Sequence, residues 1–179
     1  MDRRSFLIHA CGLGACGCAM GLAAAPASLR AEDGAAPDQR LLFARYQVAN
    51  LVRFMEADPA AAAACAGYIE QVGRECARLG QLQSRHKGDV EGYLAAIKQA
   101  WGTESTYDKA NGTVTVIVPA GECTCPLVDS KRTPAFWCNC AVGYQKEAFE
   151  AISGGPVQVA LKESKLAGSQ RCVFEIRLA

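Results

Sequence analysis

Residues 103–119 read TESTYDKANGTVTVIVP, and this stretch is where the chain changes character. Thr103 to Lys109 and Thr113 to Pro119 are two short runs on either side of Asn111-Gly112. The second run is almost entirely β-branched, which suits a pleated, half-buried strand. Asn-Gly accepts the positive backbone angles of a tight turn, so the stretch predicts a β-hairpin.

Upstream of the hairpin the period is helical. Asp38 is positioned to cap a helix running to about Ala57, with Ala44, Val48, Leu51 and Met55 on one face. Asp58-Pro59 restarts the chain as a capping side chain followed by proline at the first helical position. The second helix runs to about Leu79, with Gly80 as its stop and Cys65, Ile69, Val72, Cys76 and Leu79 as its expected buried stripe. Asp89 caps a third helix carrying Val90, Tyr93, Leu94, Ile97 and Trp101.

Downstream, a cysteine-rich loop leads into a fourth helix from Asn139 to Ser153, closed by Gly154-Gly155-Pro156. Val157–Ser164 and Arg171–Leu178 alternate as strands around a turn at Ala167-Gly168-Ser169. The order predicts an α+β domain. Its N-terminal helices pack with a four-stranded antiparallel sheet made of two hairpins and an intervening helix.

The N-terminus begins MDRRSFLIHACGLGACGCAMGLAAAPAS. Arg3-Arg4-Ser5-Phe6-Leu7 resembles the core of a twin-arginine export signal, and an uncharged stretch of Ala, Gly, Leu and Cys follows to Ala25. Ala25-Pro26-Ala27 before Ser28 fits a small-residue cleavage site, and Ala31 is a second candidate. The expectation is a signal over residues 1–31 and one domain over 32–179, delivered to the periplasm or another extracytoplasmic space. The twin-arginine machinery carries folded proteins, so a site loaded with metal beforehand is compatible with this route. Two alternatives are a membrane anchor, for which the run is barely long enough at roughly twenty residues, and a lipoprotein lipidated at Cys16 after Leu13-Gly14-Ala15.

Beyond the signal the charge balances. The chain holds 19 Lys and Arg against 18 Asp and Glu; without Arg3, Arg4, Arg30 and Asp2 this becomes sixteen against seventeen. No basic surplus points to nucleic acid or anionic lipid. Seven of the ten cysteines follow the signal: Cys65, Cys76, Cys123, Cys125, Cys138, Cys140 and Cys172. An odd number cannot all pair as disulfides within one chain.

The stretch WCNCAVGYQKEAFEAISGGPVQVALKESKLAGSQRCVFEIRL carries Cys138 and Cys140, Gly143-Tyr144, Phe149, Pro156-Val157, Ser164, Gly168 and Cys172-Val173-Phe174-Glu175-Ile176. In this pattern it resembles the end of 4-vinyl-reductase-type domains and of small proteins labelled L-2-amino-thiazoline-4-carboxylic acid hydrolase-like. The resemblance spans about Thr113 to Leu178. It implies a small-molecule-binding domain, in some members with zinc held by cysteines. The 4-vinyl-reductase domains place a cysteine where this chain has Ser164, and no catalytic set of the hydrolase label matches this chain.

The segment GECTCPLVDSKRTPAFWCNC, residues 121–140, holds two Cys-x-Cys pairs. Four thiolates suit tetrahedral Zn²⁺, so Cys123, Cys125, Cys138 and Cys140 are the candidate ligands. One intervening residue is tighter than the usual two to four. The start of the fourth helix is expected to lower the thiol pKa values. An iron–sulfur cluster is a lesser alternative, since the spacing matches neither ferredoxin pattern. Disulfide bridges across the loop are the structural alternative in an oxidising compartment.

Cys65 and Cys76 read as core residues on the second helix's stripe, and Cys172 as an inward core residue of the last strand, with a spare ligand approaching the cluster as its lesser alternative. His86, the one histidine beyond the signal, reads as solvated in a polar loop. Glu122, Asp129, Lys131 and Arg132 read as keeping the loop soluble, and Phe136, Trp137 and Tyr144 as packing. The functional expectation is a noncatalytic, exported, zinc-binding domain with a groove for a small ligand. The alternative is a small exported enzyme, a hydrolase by label or a thiol-redox protein, although the chain lacks Cys-x-x-Cys.

Overall fold

The structure is a computed structural model that describes residues 38–179. The export signal, its cleavage sites, Cys16 and the linker up to Pro37 lie outside the described residues. The described chain is an α+β domain with a four-stranded antiparallel sheet. Helices α1 (Gln39–Ala57), α2 (Pro59–Gly80) and α3 (Val90–Trp101) precede hairpin β1 (Glu104–Asp108) and β2 (Thr113–Val118). After the cysteine-rich loop come α4 (Asn139–Ser153) and the hairpin β3 (Val157–Glu163) and β4 (Cys172–Leu178). The sheet order is β1-β2-β4-β3, so β4 returns to pair with β2 and joins the two hairpins. Among the described residues no helix is long and apolar enough to cross a membrane.

Local chemistry sets the element ends. Asp38, Asp58 and Asp89 each accept a hydrogen bond from a first-turn amide, of Arg40 (2.9 Å), Ala60 (2.9 Å) and Gly92 (2.8 Å). The α2 stop falls one residue later than expected: Gln81, not Gly80, takes the left-handed angle, with φ 53°. The first hairpin is also looser than Asn-Gly suggests. Only Gly112 has positive φ (59°), and the Asp108 carboxylate holds the four-residue loop by accepting from the Ala110 and Asn111 amides and from Asn111 Nδ2.

One face of the sheet forms the core. Val114 and Val116 of β2 and Phe174 and Ile176 of β4 alternate inward against Tyr93, Leu94 and Ile97 of α3 and Ala148, Phe149 and Ile152 of α4. Tyr93 meets Phe149 edge to face, with centroids 5.6 Å apart. His86 is half-buried and approaches Tyr93 in the same manner at 6.2 Å, so it is less solvated than a polar loop suggests.

Helix α2 lies on α4, and glycine makes the approach possible. A Cβ on Gly73 would stand 1.8 Å from the Cys140 carbonyl oxygen, and one on Gly143 would stand 1.9 Å from that of Glu70. The backbones of the two helices touch at both points. This contact selects which face of α2 is covered. Ile69, Gly73 and Ala77 are buried, whereas Val72, Cys76 and Leu79 are exposed and Cys65 is half-buried. The expected stripe through Cys65, Val72, Cys76 and Leu79 is therefore corrected. The buried face is the neighbouring one and consists largely of small residues, because these allow the helix axes to come close. On α1, similarly, Ala49 and Val52 are buried while Leu51 is exposed.

Arg74 ties the two helices beside the glycines. It donates to Glu150 at 2.6 and 3.1 Å and to Glu147 at 3.2 Å. Hydrogen bonds from Arg74 hold Glu150 below the usual carboxylate value of 4.5, and the Arg78 and Arg74 guanidinium groups do the same for Glu147. A lowered carboxylate contributes stability that is present above the unfolded value and lost as pH falls through the folded value. Glu150→Gln is expected to lower unfolding stability by about 1 kcal/mol at pH 7, since the pair is partly open to water. The difference from wild type should close as urea titrations move below pH 4.5. A difference that is independent of pH would show that the loss is one of packing.

Candidate thiol cluster

The loop between β2 and α4 is held on several sides. Asp129 closes a turn by accepting from the Thr133 (2.8 Å) and Arg132 (3.0 Å) amides through its carbonyl, and its amide donates to Thr133 Oγ1 at 3.1 Å. Val128 and Thr133 are buried beneath it. Helix α1 clamps the outside: Arg45 Nε donates to the Pro126 carbonyl at 2.7 Å, and Arg53 to that of Arg132 at 3.1 Å. Lys165 Nζ reaches the Glu122 carbonyl at 3.2 Å from the β3–β4 turn. The side chains of Lys131, Arg132 and Glu122 reach solvent as expected, whereas Asp129 is half-buried and organises its turn.

These constraints bring thiols together from separate parts of the chain. Cys123, Cys125, Cys138 and Cys140 are all half-buried free thiols. Cys172 joins them because it pairs with Val118 at the point where the loop leaves the sheet, and its sulfur lies 3.5 Å from the Lys165 amide, which donates to it. Ser164, buried at the end of β3, has its Oγ 3.0 Å from Cys138 Sγ. From the other side, Cys76 of α2 faces Cys140 and Tyr144 of α4, one helical turn beyond the Gly73 contact.

The electrostatics differ from the sequence expectation. Burial raises the Cys123 and Cys138 thiols above their usual 9.0, and the Ser164 hydrogen bond only partly offsets this at Cys138. Cys140 is pushed up to about 12, by burial first and then by the charges of Cys76, Cys125, Cys123 and Cys138. The α4 start does not lower these values. A 3₁₀ turn over Ala135–Cys138 runs into the helix, and the Asn139 amide is already bonded to the Phe136 and Trp137 carbonyls. Among the described residues no three His, Cys, Asp or Glu side chains stand in metal-holding geometry. The thiols are gathered without having converged.

Phe136 and Trp137 are half-buried in the 3₁₀ turn, and Tyr144 meets Trp101 edge to face at 6.4 Å. Two open surface depressions lie elsewhere. One is lined by Glu150 and Gly154 to Pro156, and the other by Pro156 to Gln158 and Arg177 to Ala179. Sequence reading missed Cys76 as a neighbour of the cluster and marked Ser164 only through the family resemblance, whereas Cys172 packs against the core as expected and also borders the loop. No local signal marks Cys76, since it arrives through the packing of α2 on α4.

A profile for a family of unknown function, DUF6144, matches residues 101–179. This stretch contains both hairpins, α4 and every cluster residue except Cys76. No curated protein matches. Among solved structures the chain is similar to the trafficking protein particle complex subunit 3 from Naegleria fowleri, crystallised covalently bound to palmitic acid. The identity is 20%, the TM-score is 0.52, and the match covers 78% of this chain and 94% of that one. At that identity the likeness shows a shared fold.

Proposed function

We propose that this chain is an exported, noncatalytic domain that takes up a thiophilic metal ion, Zn²⁺ before an iron–sulfur cluster, at Cys123, Cys125, Cys138 and Cys140. The observation that carries this reading is the gathering itself. A clamped loop and the α4 entry bring half-buried thiols near one another, and burial, with the neighbouring thiols second, raises the cost of charging Cys123, Cys138 and Cys140. A bound dication removes that cost by neutralising the thiolates together. Holding the ion requires the thiols to draw inward from the positions they take here. The test is elemental analysis joined to native mass spectrometry of the purified chain. One bound ion supports the reading. A mass four protons below that of the reduced chain, with no ion, replaces it with two disulfides.

The small-ligand part of the reading is supported by a protein of similar fold that carries palmitic acid. Export rests on Arg3-Arg4-Ser5-Phe6-Leu7. Replacing both arginines by lysine is expected to leave unprocessed precursor in the cytoplasm, read by fractionation and N-terminal sequencing. Normal processing of that variant would remove the twin-arginine reading, and a lipidated Cys16 terminus would put a lipoprotein anchor in its place.

A further inference from the structure

Helices α1 and α2 are apolar on more sides than the domain covers. Phe43, Tyr46 and Phe54 of α1 are 64%, 50% and 78% exposed, and Tyr68, Val72 and Leu79 of α2 are 72%, 45% and 83% exposed. On α2 the exposed side chains recur at three- and four-residue steps with Cys76 between them, so they form one continuous stripe along the helix. This is the stripe whose periodicity marks a buried helix face, and the glycine contact with α4 leaves it turned outward. Monomeric soluble proteins seldom leave more than about 300–600 Å² of contiguous apolar surface open.

We propose that these faces of α1 and α2 pack against the same faces of a second copy of this chain, forming a two-fold dimer. Size is the first argument. The six side chains leave roughly 900 Å² open, given the bulk of aromatic residues, and a stable interface takes about 800 Å² from each partner. The pattern is the second. A stripe at three- and four-residue steps interlocks with an identical stripe, as helix-pair packing and two-fold symmetry require. Charge is the third, because beyond the signal the chain is near neutral and two copies meet no long-range repulsion. The chain's own stretch from Phe6 to Ala25 is a poorer occupant, since half of it is Ala and Gly and it offers one aromatic ring besides His9 to fill the spaces between aromatic side chains.

Light scattering of the full chain, with Phe54→Glu/Leu79→Glu beside it, tests this. The wild type is expected at twice the mass of a single chain at micromolar concentration. The variant should fall to half the wild-type mass with an unchanged far-ultraviolet circular dichroism spectrum, because both side chains face solvent in the single chain. Its unfolding midpoint should also lose the concentration dependence that the wild type shows. A wild type that stays monomeric at 100-fold higher concentration overturns the proposal, whether the face is bare or covered by the N-terminal stretch. A variant that retains the wild-type mass also overturns it, because the contact then lies elsewhere. If the double variant fails to fold, Phe43→Ser/Tyr68→Ser is measured instead, with the same outcomes decisive.

Discussion

Gly143→Ala is expected to destabilise the chain by about 3 kcal/mol or more, lowering the melting temperature by about 10 °C. A Cβ at this position would stand 1.9 Å from the Glu70 carbonyl oxygen and 2.7 Å from its carbon, and both are backbone atoms. No rotamer change relieves such a contact, so α2 must move away from α4. That movement would spread the Arg74 bridge to Glu147 and Glu150 and shift Cys140, whose carbonyl lies against Gly73. Gly67→Ala on α2 is the control. Its Cβ would meet nothing within 4 Å, so alanine there should stabilise by about 0.5–1 kcal/mol through helix propensity alone. Opposite signs in thermal unfolding confirm the close contact. A neutral Gly143→Ala would mean that the helices stand further apart.

Loss of the metal is expected to be the second large effect. If one ion is held, its binding free energy adds to folding, so stripping it with chelator should lower the melting temperature by 10 °C or more, from a loss of roughly 3–5 kcal/mol. Cys138→Ser should remove both the ion and the sensitivity to chelator. Cys65→Ala should change neither, because Cys65 lies on α2 away from the loop. Cys76→Ala divides the possibilities further. Unchanged metal content would leave Cys76 as a neighbour of Cys140, and lost metal would make it a ligand. Under the disulfide alternative the dependence is inverted: reductant lowers the midpoint, and chelator has no effect.

Much of the fold could be read residue by residue because its signals are local. Three aspartates cap three helices, alternation marks four strands, and Gly154-Gly155-Pro156 ends α4 where the sequence says it should. The candidate site could be read in part for the same reason. Two Cys-x-Cys pairs close in the chain remain close in space once the intervening loop folds back on itself.

By itself, then, the sequence determined the α+β class, the order and ends of the elements, and a segment dense in thiols. These depend on backbone propensity and on side chains a few residues apart. Tertiary structure alone decided which face of α2 is covered, and the reason is size. Periodicity counts large apolar side chains, whereas the α2–α4 contact is made by Gly73, Ala77 and Gly143, whose small size lets two backbones touch. That choice turned Tyr68, Val72 and Leu79 outward and placed Cys76 beside Cys140. Pairing of β4 with β2 likewise carried Cys172 to the loop, and the end of β3 carried Ser164 to Cys138. The thiol values followed from the same packing: burial raised them where the helix start read alone implied the reverse.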